Sequence, residues 1–444
     1  MSLVKYLEGA ELSRFHYFLL ALSFAVYGFT AMNVMLISVS LPKICVEWRL
    51  DPVTTGYMLS AGFIGMFIGA ISSGYISDTI GRKRTLTIMV AIASVFTALN
   101  GVAQDVVSLS LLRLIAGIGL GGTLPIPGVY LSEYPPARYR GRFVGIVETA
   151  WVWGVLLGIF FGYIVIPEYG WRASFGIALI PLVLLPIILY YMPESIRYLE
   201  NKGRIQEAVG ILKKYGLVKG EIKVEEGAVK VRRLSLSKAF KSVWSKAYRK
   251  RTIVLWALWA SLVYTYYGIF LWLPAFYYTK LGYKIVKTLW WVLVVTSAQV
   301  PGYYSAALLL DRAGRKPILV TYLTVAGIAC LLMATTTEIS LILAYSIVIS
   351  FFNLGAWSAL YTYTPELYPT TIRGTGSGLA ASIGRIAGIL APTFTGILMK
   401  IAGGSLIGAF ITFALIHIAA ALVVLLLGVE TKGVSLEILS REEA

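Results

Sequence analysis

Twelve long runs of apolar residues alternate with short polar loops along this chain. Each run is about 20 residues or longer, the length of helix that crosses the hydrocarbon core of a bilayer. The alternation therefore predicts twelve membrane-spanning helices, called spans 1 to 12 below. The spans are predicted near 15–41, 53–77, 85–104, 108–132, 143–166, 171–191, 252–278, 288–310, 317–336, 340–363, 374–400 and 405–427.

One polar stretch, residues 193–251, interrupts the alternation with sixteen Lys plus Arg and six acids. A segment this charged cannot cross the membrane, so it predicts a soluble linker. The chain then divides into an N-terminal six-helix bundle at 1–192 and a C-terminal six-helix bundle with a short tail at 252–444. Five apolar residues of the linker recur at helical spacing and predict an amphipathic helix on the membrane surface. They are Ile196, Leu199, Ile205, Val209 and Leu212.

Two charged signatures occur twice, 233 residues apart. Asp78-Thr-Ile-Gly-Arg-Lys, after span 2, is repeated as Asp311-Arg-Ala-Gly-Arg-Lys after span 8. Glu133-Tyr-Pro-Pro-Ala-Arg-Tyr-Arg-Gly is echoed by Glu366-Leu-Tyr-Pro-Thr-Thr-Ile-Arg-Gly at the same offset. A shared spacing of this kind indicates that one unit was duplicated in parallel. The membrane side of these loops is called the motif side, and the opposite side the far side.

Composition excludes a soluble globule, because 58% of residues are apolar and 14% are charged. Of the 39 Lys plus Arg, thirty fall on the motif side and seven on the far side. The positive-inside rule then predicts that the motif side, with both termini and the linker, is cytoplasmic in the cell membrane. The net charge of +17 lies between membrane-length apolar runs, so nucleic acid is not an expected partner. The two cysteines lie in different halves and predict no metal site, and no cofactor is expected.

The repeated acids predict a conformational latch. Asp78 lies at the C-terminal end of span 2, where the helix dipole opposes a negative charge. We expect it to meet the start of span 11, and Asp311 to meet the start of span 5, so that contacts between the halves form in one state and break in another. The alternative is that these loop charges only fix topology. The residues assigned to the latch are Asp78, Arg82, Glu133, Arg140, Arg142, Asp311, Arg315, Glu366 and Arg373.

The loop from Gly74 to Arg84 resembles the signature loop of the major facilitator superfamily, and the twelve-helix, two-half layout covers the whole chain. The segment Arg113-Leu-Ile-Ala-Gly-Ile-Gly-Leu-Gly-Gly resembles the superfamily's span 4 motif. The segments 193–199 and 430–433 resemble motifs of its sugar porter and organic-ion branches. The resemblance implies an all-α membrane protein of two six-helix bundles that transports a solute by alternating access.

Four ionisable side chains lie inside the spans, and a charge at that depth is usually functional. Arg385, in span 11, attracts a carboxylate or a similar anion if it has no partner acid; organic-anion transporters resemble this segment and carry Arg here. Glu148 in span 5 is a candidate proton carrier or the partner of an Arg. Arg113 resembles a family position tied to proton coupling, and a structural role is the alternative. His417 in span 12 is expected to be a packed bystander.

Related aromatic-acid symporters carry an acid where this chain has Asn33, which weakens proton coupling through span 1. Span 7 lacks the paired glutamines of sugar porters and resembles the nicotinate and organic-ion branches. Aromatic residues crowd spans 5, 7 and 10, where they offer faces for a planar substrate or simply pack. The expected substrate-binding residues are Arg385, Asn33, Tyr267, Trp272, Trp151, Trp357 and Tyr361.

These observations favour a secondary transporter, acting as a monomer in the lipid bilayer, for an organic or aromatic anion. Proton coupling stays open. The alternative within the class is a sugar porter. An integral-membrane enzyme would need a cluster of catalytic residues at membrane depth, and the four ionisable residues do not form one. A sensor built on this fold usually adds a long soluble tail, and only about 15 residues follow span 12 in this sequence.

Overall fold

The computed structural model describes Leu3, Leu7 and residues 11–217, 236–279, 281–369, 372–403 and 405–433. Within these ranges all regular secondary structure is helical. Residues 218–235 of the predicted linker and 434–444 of the predicted tail lie outside the described residues.

The first half contains the six predicted spans. Spans 1 to 3 are Arg14–Glu47, Pro52–Ile80 and Arg82–Leu99, the last followed by a 3-10 turn at Asn100–Val102. Span 4 consists of Val106–Thr123 and Pro125–Glu133. Spans 5 and 6 share the helical segments Ala137–Ser174, Phe175–Val183 (a 3-10 helix) and Leu184–Tyr191.

The second half repeats this arrangement. Span 7 consists of Arg249–Phe270 and Leu273–Thr279, preceded by a short helix at Leu236–Val243. Span 8 consists of Ile285–Ser297 and Gln299–Ala313. Spans 9 to 12 are Arg315–Thr335, Ile339–Glu366, Arg373–Ile401 and Ile407–Leu427.

Spans 5 and 6 join in one helical run of 55 residues, Ala137–Tyr191, so eleven apolar stretches account for twelve crossings. The run breaks at Gly170, whose φ of 80° and ψ of 171° are not helical. A residue with a Cβ rarely adopts this φ, so glycine lets the chain turn back into the membrane there. The predicted twelve-span, all-α fold is confirmed.

The linker begins with two short helices, Ile196–Asn201 and Ile205–Lys214, rather than one. Their apolar residues join a hydrophobic cluster with the motif-side ends of spans 1, 3 and 6; Leu199 and Leu212 are fully buried there. The predicted placement of these helices on the membrane surface stays a prediction. An amphipathic face is equally satisfied by protein or by lipid, and the sequence alone does not distinguish the two.

Packing repeats between the halves. Span 3 packs against span 4 and the 3-10 helix of span 6, as span 9 packs against spans 10 and 12. Span 5 approaches span 1 so closely that a Cβ at Gly154 would collide with the backbone of Gly28. Span 11 approaches span 7 through Gly384 and Gly388. These glycines place the backbone of spans 5 and 11 directly against their neighbours.

The described chain forms two compact units that depart from the sequence halves at the far side. One unit combines the second half, from residue 233 onward, with the far-side segments 37–63 and 162–171. The other holds 1–36, 64–161 and 172–232. The far-side ends of spans 1, 2 and 5 therefore pack with helices of the second half.

The far-side ends of spans 2 and 11 pack backbone against backbone. A Cβ at Gly56 would lie 2.7 Å from the carbonyl oxygen of Pro392, and a Cβ at Gly396 would overlap the carbonyl oxygen of Pro52. Ser60 Oγ donates a hydrogen bond of 2.6 Å to the Ile389 carbonyl. This contact, called the far-side seam, closes spans 2 and 11 onto each other.

Candidate functional site

The first charged loop is held by Glu194, at the end of span 6. Its Oε1 accepts hydrogen bonds from the backbone N–H groups of Arg82 at 2.8 Å and Lys83 at 3.3 Å, in the first turn of span 3. Gly81 precedes this turn with a φ of 102°, and a Cβ there would collide with the Glu194 carboxylate. The glycine of the signature is thus required both by its φ and by the approach of this carboxylate.

The second charged loop repeats the arrangement with Glu430. Its carboxylate accepts from the backbone N–H groups of Arg315 at 2.9 Å and Lys316 at 3.0 Å, in the first turn of span 9. Gly314 has a φ of 96°, and a Cβ there would lie 2.6 Å from Glu430 Oε2. Each half therefore uses the acid that follows its last span to cap its third helix, where the helix dipole favours a negative charge.

The paired acids of the second signature are also held alike. Glu133 is 2% exposed and accepts a hydrogen bond of 2.5 Å from Ser195 Oγ. Glu366 accepts one of the same length from Thr431 Oγ1. The hydroxyl residue directly follows the capping acid in both halves, so one short segment in each half makes both of these repeated contacts.

The arginines of the latch form contacts within their own halves. Arg82 pairs with Asp78 at 2.9 Å, and Arg315 pairs with Glu366 at 2.9 Å and with Asp311 at 3.5 Å. Arg140 Nε donates to the Pro135 carbonyl at 2.9 Å, and Arg373 Nε donates to the Tyr368 carbonyl at 3.3 Å. Arg142 is exposed near the start of span 5. The contacts of Asp78 with span 11 and of Asp311 with span 5 stay predictions.

Arg385 lies about three turns into span 11 and is half-buried. No carboxylate pairs with its guanidinium among the residues that the structure describes. Glu366, the nearest acid in the sequence, is engaged with Arg315. The glycine before Arg385, Gly384, packs against Val263 and Trp259 of span 7. Gly388, three residues beyond Arg385, packs against Val263 and Tyr267 of the same span 7.

Spans 7 and 10 present a cluster of aromatic rings to this part of span 11. It comprises Trp259, Tyr266, Tyr267, Trp357 and Tyr361, called the aromatic cluster. Trp259 meets Trp357 edge-on at 5.6 Å and Tyr361 at 5.7 Å, and Trp357 lies 5.5 Å from Tyr361. Tyr266 lies 5.3 Å from Tyr267. Phe63, from the far-side segment of span 2, adds a ring 4.4 Å from Tyr267.

Two of the aromatic residues expected to bind substrate, Trp272 and Trp151, lie apart from the aromatic cluster. Trp272 is buried in the break between the two helices of span 7 and has no ring contact in the described ranges. Trp151 belongs to the first half, where its ring lies 6.0 Å from Tyr27. Tyr27 donates a hydrogen bond of 2.7 Å to Glu148, so this acid is paired with a phenol.

Asn33 faces a small cavity within the first half. The cavity lies between spans 1, 3, 4 and 6, and its polar lining residues are Thr30, Asn33, Ser94 and Thr123. Asn33 Oδ1 and Ser94 Oγ are buried without a hydrogen-bond partner in the described structure. Arg113 is 8% exposed in span 4 and does not line this cavity.

His417 is fully buried in span 12. Its Nδ1 is 2.8 Å from the Phe413 carbonyl, which requires a proton on Nδ1, so Nε2 accepts from Asn353 Nδ2 at 3.0 Å. Asn353 Nδ2 also donates to Thr265 Oγ1 at 3.0 Å, which ties spans 7, 10 and 12 together. This arrangement agrees with a packing role for His417.

The sequence did not reveal the capping role of Glu194 and Glu430 or the place of Trp259 in the aromatic cluster. Glu194 and Glu430 entered only as parts of resembling motifs, although each is the helix cap of its half. Their signal was present, since each directly precedes a hydroxyl residue just beyond the last span of its half. Trp259 was also missed, because a tryptophan near the start of span 7 reads equally well as an interfacial residue.

Comparison with known proteins matches nearly the whole chain. The family model described as "Sugar (and other) transporter" covers residues 3–442. The niacin transporter of Acinetobacter baylyi is 38% identical over 98% of this chain and 99% of its own length. The putative niacin/nicotinamide transporter of Bacillus subtilis is 34% identical over 92% of this chain and 95% of its own length. The inward-open xylose transporter of E. coli, 20% identical, covers 97% of this chain and 100% of its own with a TM-score of 0.74, which shows the shared fold.

Proposed function

We propose, because this chain belongs to the sugar (and other) transporter family of the major facilitator superfamily, that it carries an aromatic monocarboxylate across the membrane by alternating access. The chain is a multi-pass membrane transporter of a small molecule. The observation that carries the proposal is the place of Arg385, which has no partner acid in the described part of the chain and lies beside the aromatic cluster.

The chemistry of this site fits an anion with a flat ring. A charge near the centre of a membrane costs roughly 2.5–3.5 kcal/mol, so an unpaired guanidinium there calls for a ligand that neutralises it. Guanidinium binds a carboxylate through two parallel hydrogen bonds. Aromatic rings pack on a planar substrate edge-on or offset. Tyr267, Trp357 and Tyr361 are the residues that we assign to its ring.

The names of two relatives support the same class of substrate. Niacin is a pyridine ring that carries one carboxylate, and nicotinamide is its amide. Both are small enough to lie between a guanidinium and an aromatic cluster. We assign Trp272, Trp151 and Asn33 supporting places around the substrate path rather than the contact with the carboxylate.

We also propose the membrane orientation, the oligomeric state and the coupling ion of the protein. The motif side faces the cytoplasm, both termini lie inside, and the protein acts as a monomer in the cell membrane. Protons couple to transport through Glu148, whose phenol partner Tyr27 can exchange a hydrogen bond as the carboxylate gains or loses a proton. Arg113 has a supporting role as the buried cation of the same half.

Uptake of labelled nicotinate into proteoliposomes tests the proposal. Wild type is expected to transport it, and Arg385→Ala to lose transport while the protein still inserts and folds. Arg385→Lys keeps part of the activity if a point charge suffices, and little if two-fold hydrogen bonding is needed. Lys400→Ala removes a cation from the exposed end of the same span and serves as the control. Equal uptake by wild type and Arg385→Ala would contradict the assignment.

A sugar porter is the second candidate, and the description of the matching family model favours it. The aromatic cluster can also pack on a sugar ring, but a neutral sugar leaves Arg385 without a counter-charge. Transport of a pentose or hexose by wild type, undiminished in Arg385→Ala, would make this candidate the leading one.

A further inference from the structure

One indole N–H of the aromatic cluster has no acceptor. Trp357 is 8% exposed, and its Nε1 is fully shielded with no hydrogen-bond partner in the structure as described. Trp259, its edge-on neighbour, donates its own Nε1–H to Thr364 Oγ1 at 3.1 Å. Burial without a partner is unfavourable for a polar group, and such groups in native proteins call for an explanation.

The position of this N–H relative to Arg385 suggests that a bound ligand supplies the missing acceptor. The Trp357 ring lies 6.5 Å from that of Tyr266, and Tyr266 contacts Tyr267, which packs against span 11 at Gly388, three residues beyond Arg385. The unpaired donor and the unpaired cation thus belong to one group of side chains on spans 7, 10 and 11. A ligand held by its carboxylate at Arg385 would place its ring among these aromatic residues.

We propose that Trp357 Nε1–H donates a hydrogen bond to an acceptor atom on the ring of the substrate, and that this bond selects heteroaromatic acids over their hydrocarbon counterparts. The inference rests on the proposed function. An indole nitrogen can only donate, so it requires an acceptor such as the unprotonated ring nitrogen of a pyridine carboxylate. Benzoate has the same shape and charge but only C–H at that position, and it leaves the donor unpaired.

Two other buried indole N–H groups in the described ranges lack a partner, and their positions differ from that of Trp357. Trp272 lies in the break of span 7, outside the aromatic cluster. Trp256 lies near the start of span 7, where its ring meets Trp244 edge-on at 5.0 Å. Trp256 therefore provides a matched control, since Trp256→Phe removes the same group from span 7 at a residue that is not part of the aromatic cluster.

The test compares the binding of nicotinate and benzoate to the purified full-length protein by calorimetry. Wild type is expected to bind nicotinate roughly tenfold more tightly, as one hydrogen bond to a neutral partner allows. Trp357→Phe should lower nicotinate affinity to that of benzoate, so that the ratio of the two affinities falls from about ten to about one. Trp256→Phe should keep the wild-type ratio.

A ligand series on wild type keeps the test independent of how the variant folds. Isonicotinate, which has the charge of nicotinate but carries its ring nitrogen at the para position, should bind about as weakly as benzoate. Equal affinity of wild type for nicotinate and benzoate, or an unchanged ratio in Trp357→Phe, overturns the role of Trp357 alone. If wild type binds neither acid, the proposed function itself fails.

Discussion

Glu430 accepts a hydrogen bond from the backbone N–H of Arg315 at 2.9 Å, although 115 residues separate them. The last segment of the second half thereby caps the first turn of span 9. Glu194 does the same for Arg82 and span 3, across 112 residues. These caps connect the two ends of each half through one carboxylate.

The cap predicts the effect of removing its charge. Glu430→Gln keeps the shape of the side chain but loses the charge at the N-terminus of span 9, so the free energy of unfolding should fall by about 1 kcal/mol. Thermal unfolding in detergent measures this. Glu207→Gln, which removes an exposed acid paired with Arg204, should change it by a few tenths at most.

The same cap predicts how the stability of the protein depends on pH. Burial acts to raise the pKa of Glu430, but the backbone N–H groups of Arg315, Lys432, Lys316 and Thr431 outweigh it and hold the pKa below its usual value. Its contribution to stability is thus fully present above about pH 4.3, the usual pKa of Glu, and is lost as pH falls through the lowered value. The difference in unfolding temperature between wild type and Glu430→Gln should be constant from pH 7 to 5 and shrink below. A difference that grew on acidification would contradict the cap.

The latch predicts a shift in conformation. If Asp78 meets the start of span 11, Asp78→Asn should weaken the closed motif side and raise the labelling of single cysteines placed there. Asp51→Asn, in a far-side loop where Asp51 bonds to Thr54 and Val53, is the control. Unchanged labelling in Asp78→Asn would contradict the latch and leave Asp78 a role within its own half, where it pairs with Arg82.

The proposed role of Glu148 leads to a prediction about proton-coupled transport. Glu148→Gln keeps a hydrogen bond with Tyr27 but cannot carry a proton. Uphill accumulation of substrate under an imposed pH difference should be abolished, while exchange of labelled for unlabelled substrate continues. Accumulation that persists in this variant would exclude Glu148 as the proton carrier.

The close approach of spans 2 and 11 at the far-side seam predicts the effect of a larger side chain there. Gly396→Val should push span 2 away from span 11, because a Cβ at this position already overlaps the Pro52 carbonyl oxygen. A single cysteine at position 60, in a background without Cys45 and Cys330, should then react faster with far-side reagents. Gly378→Val is the matched control, since its Cβ would have open space on the same span. Equal reactivity in the two variants would show that the added side chain does not separate spans 2 and 11.

The sequence predicted the spans well for a physical reason. A bilayer imposes one length and one polarity on every crossing, so the bounds of span 11, predicted at 374–400 and observed at Arg373–Ile401, are nearly fixed by composition. The same reasoning missed the two-part linker, where Gly203 with a φ of 71° separates the helices.

The site was less predictable because its contacts join distant segments. Arg385 could be singled out since a charge within a span is rare. Nothing in the sequence separates Trp357, in the aromatic cluster, from Trp151, in the other half, because apolar aromatic residues pack in many ways. The partners of Glu194 and Glu430 follow from tertiary folding and not from local spacing.

The far-side seam also bears on how readily spans 2 and 11 can separate. It consists of backbone that is already hydrogen-bonded within its own helix, plus the Ser60 bonds to the Ile389 carbonyl and to Thr393 Oγ1. Each of these bonds is worth about 1 kcal/mol net. A ligand that binds the open form more tightly by only a few kcal/mol can redistribute the two populations. Small residues at this seam thus keep the two populations within reach of the binding energy of a ligand.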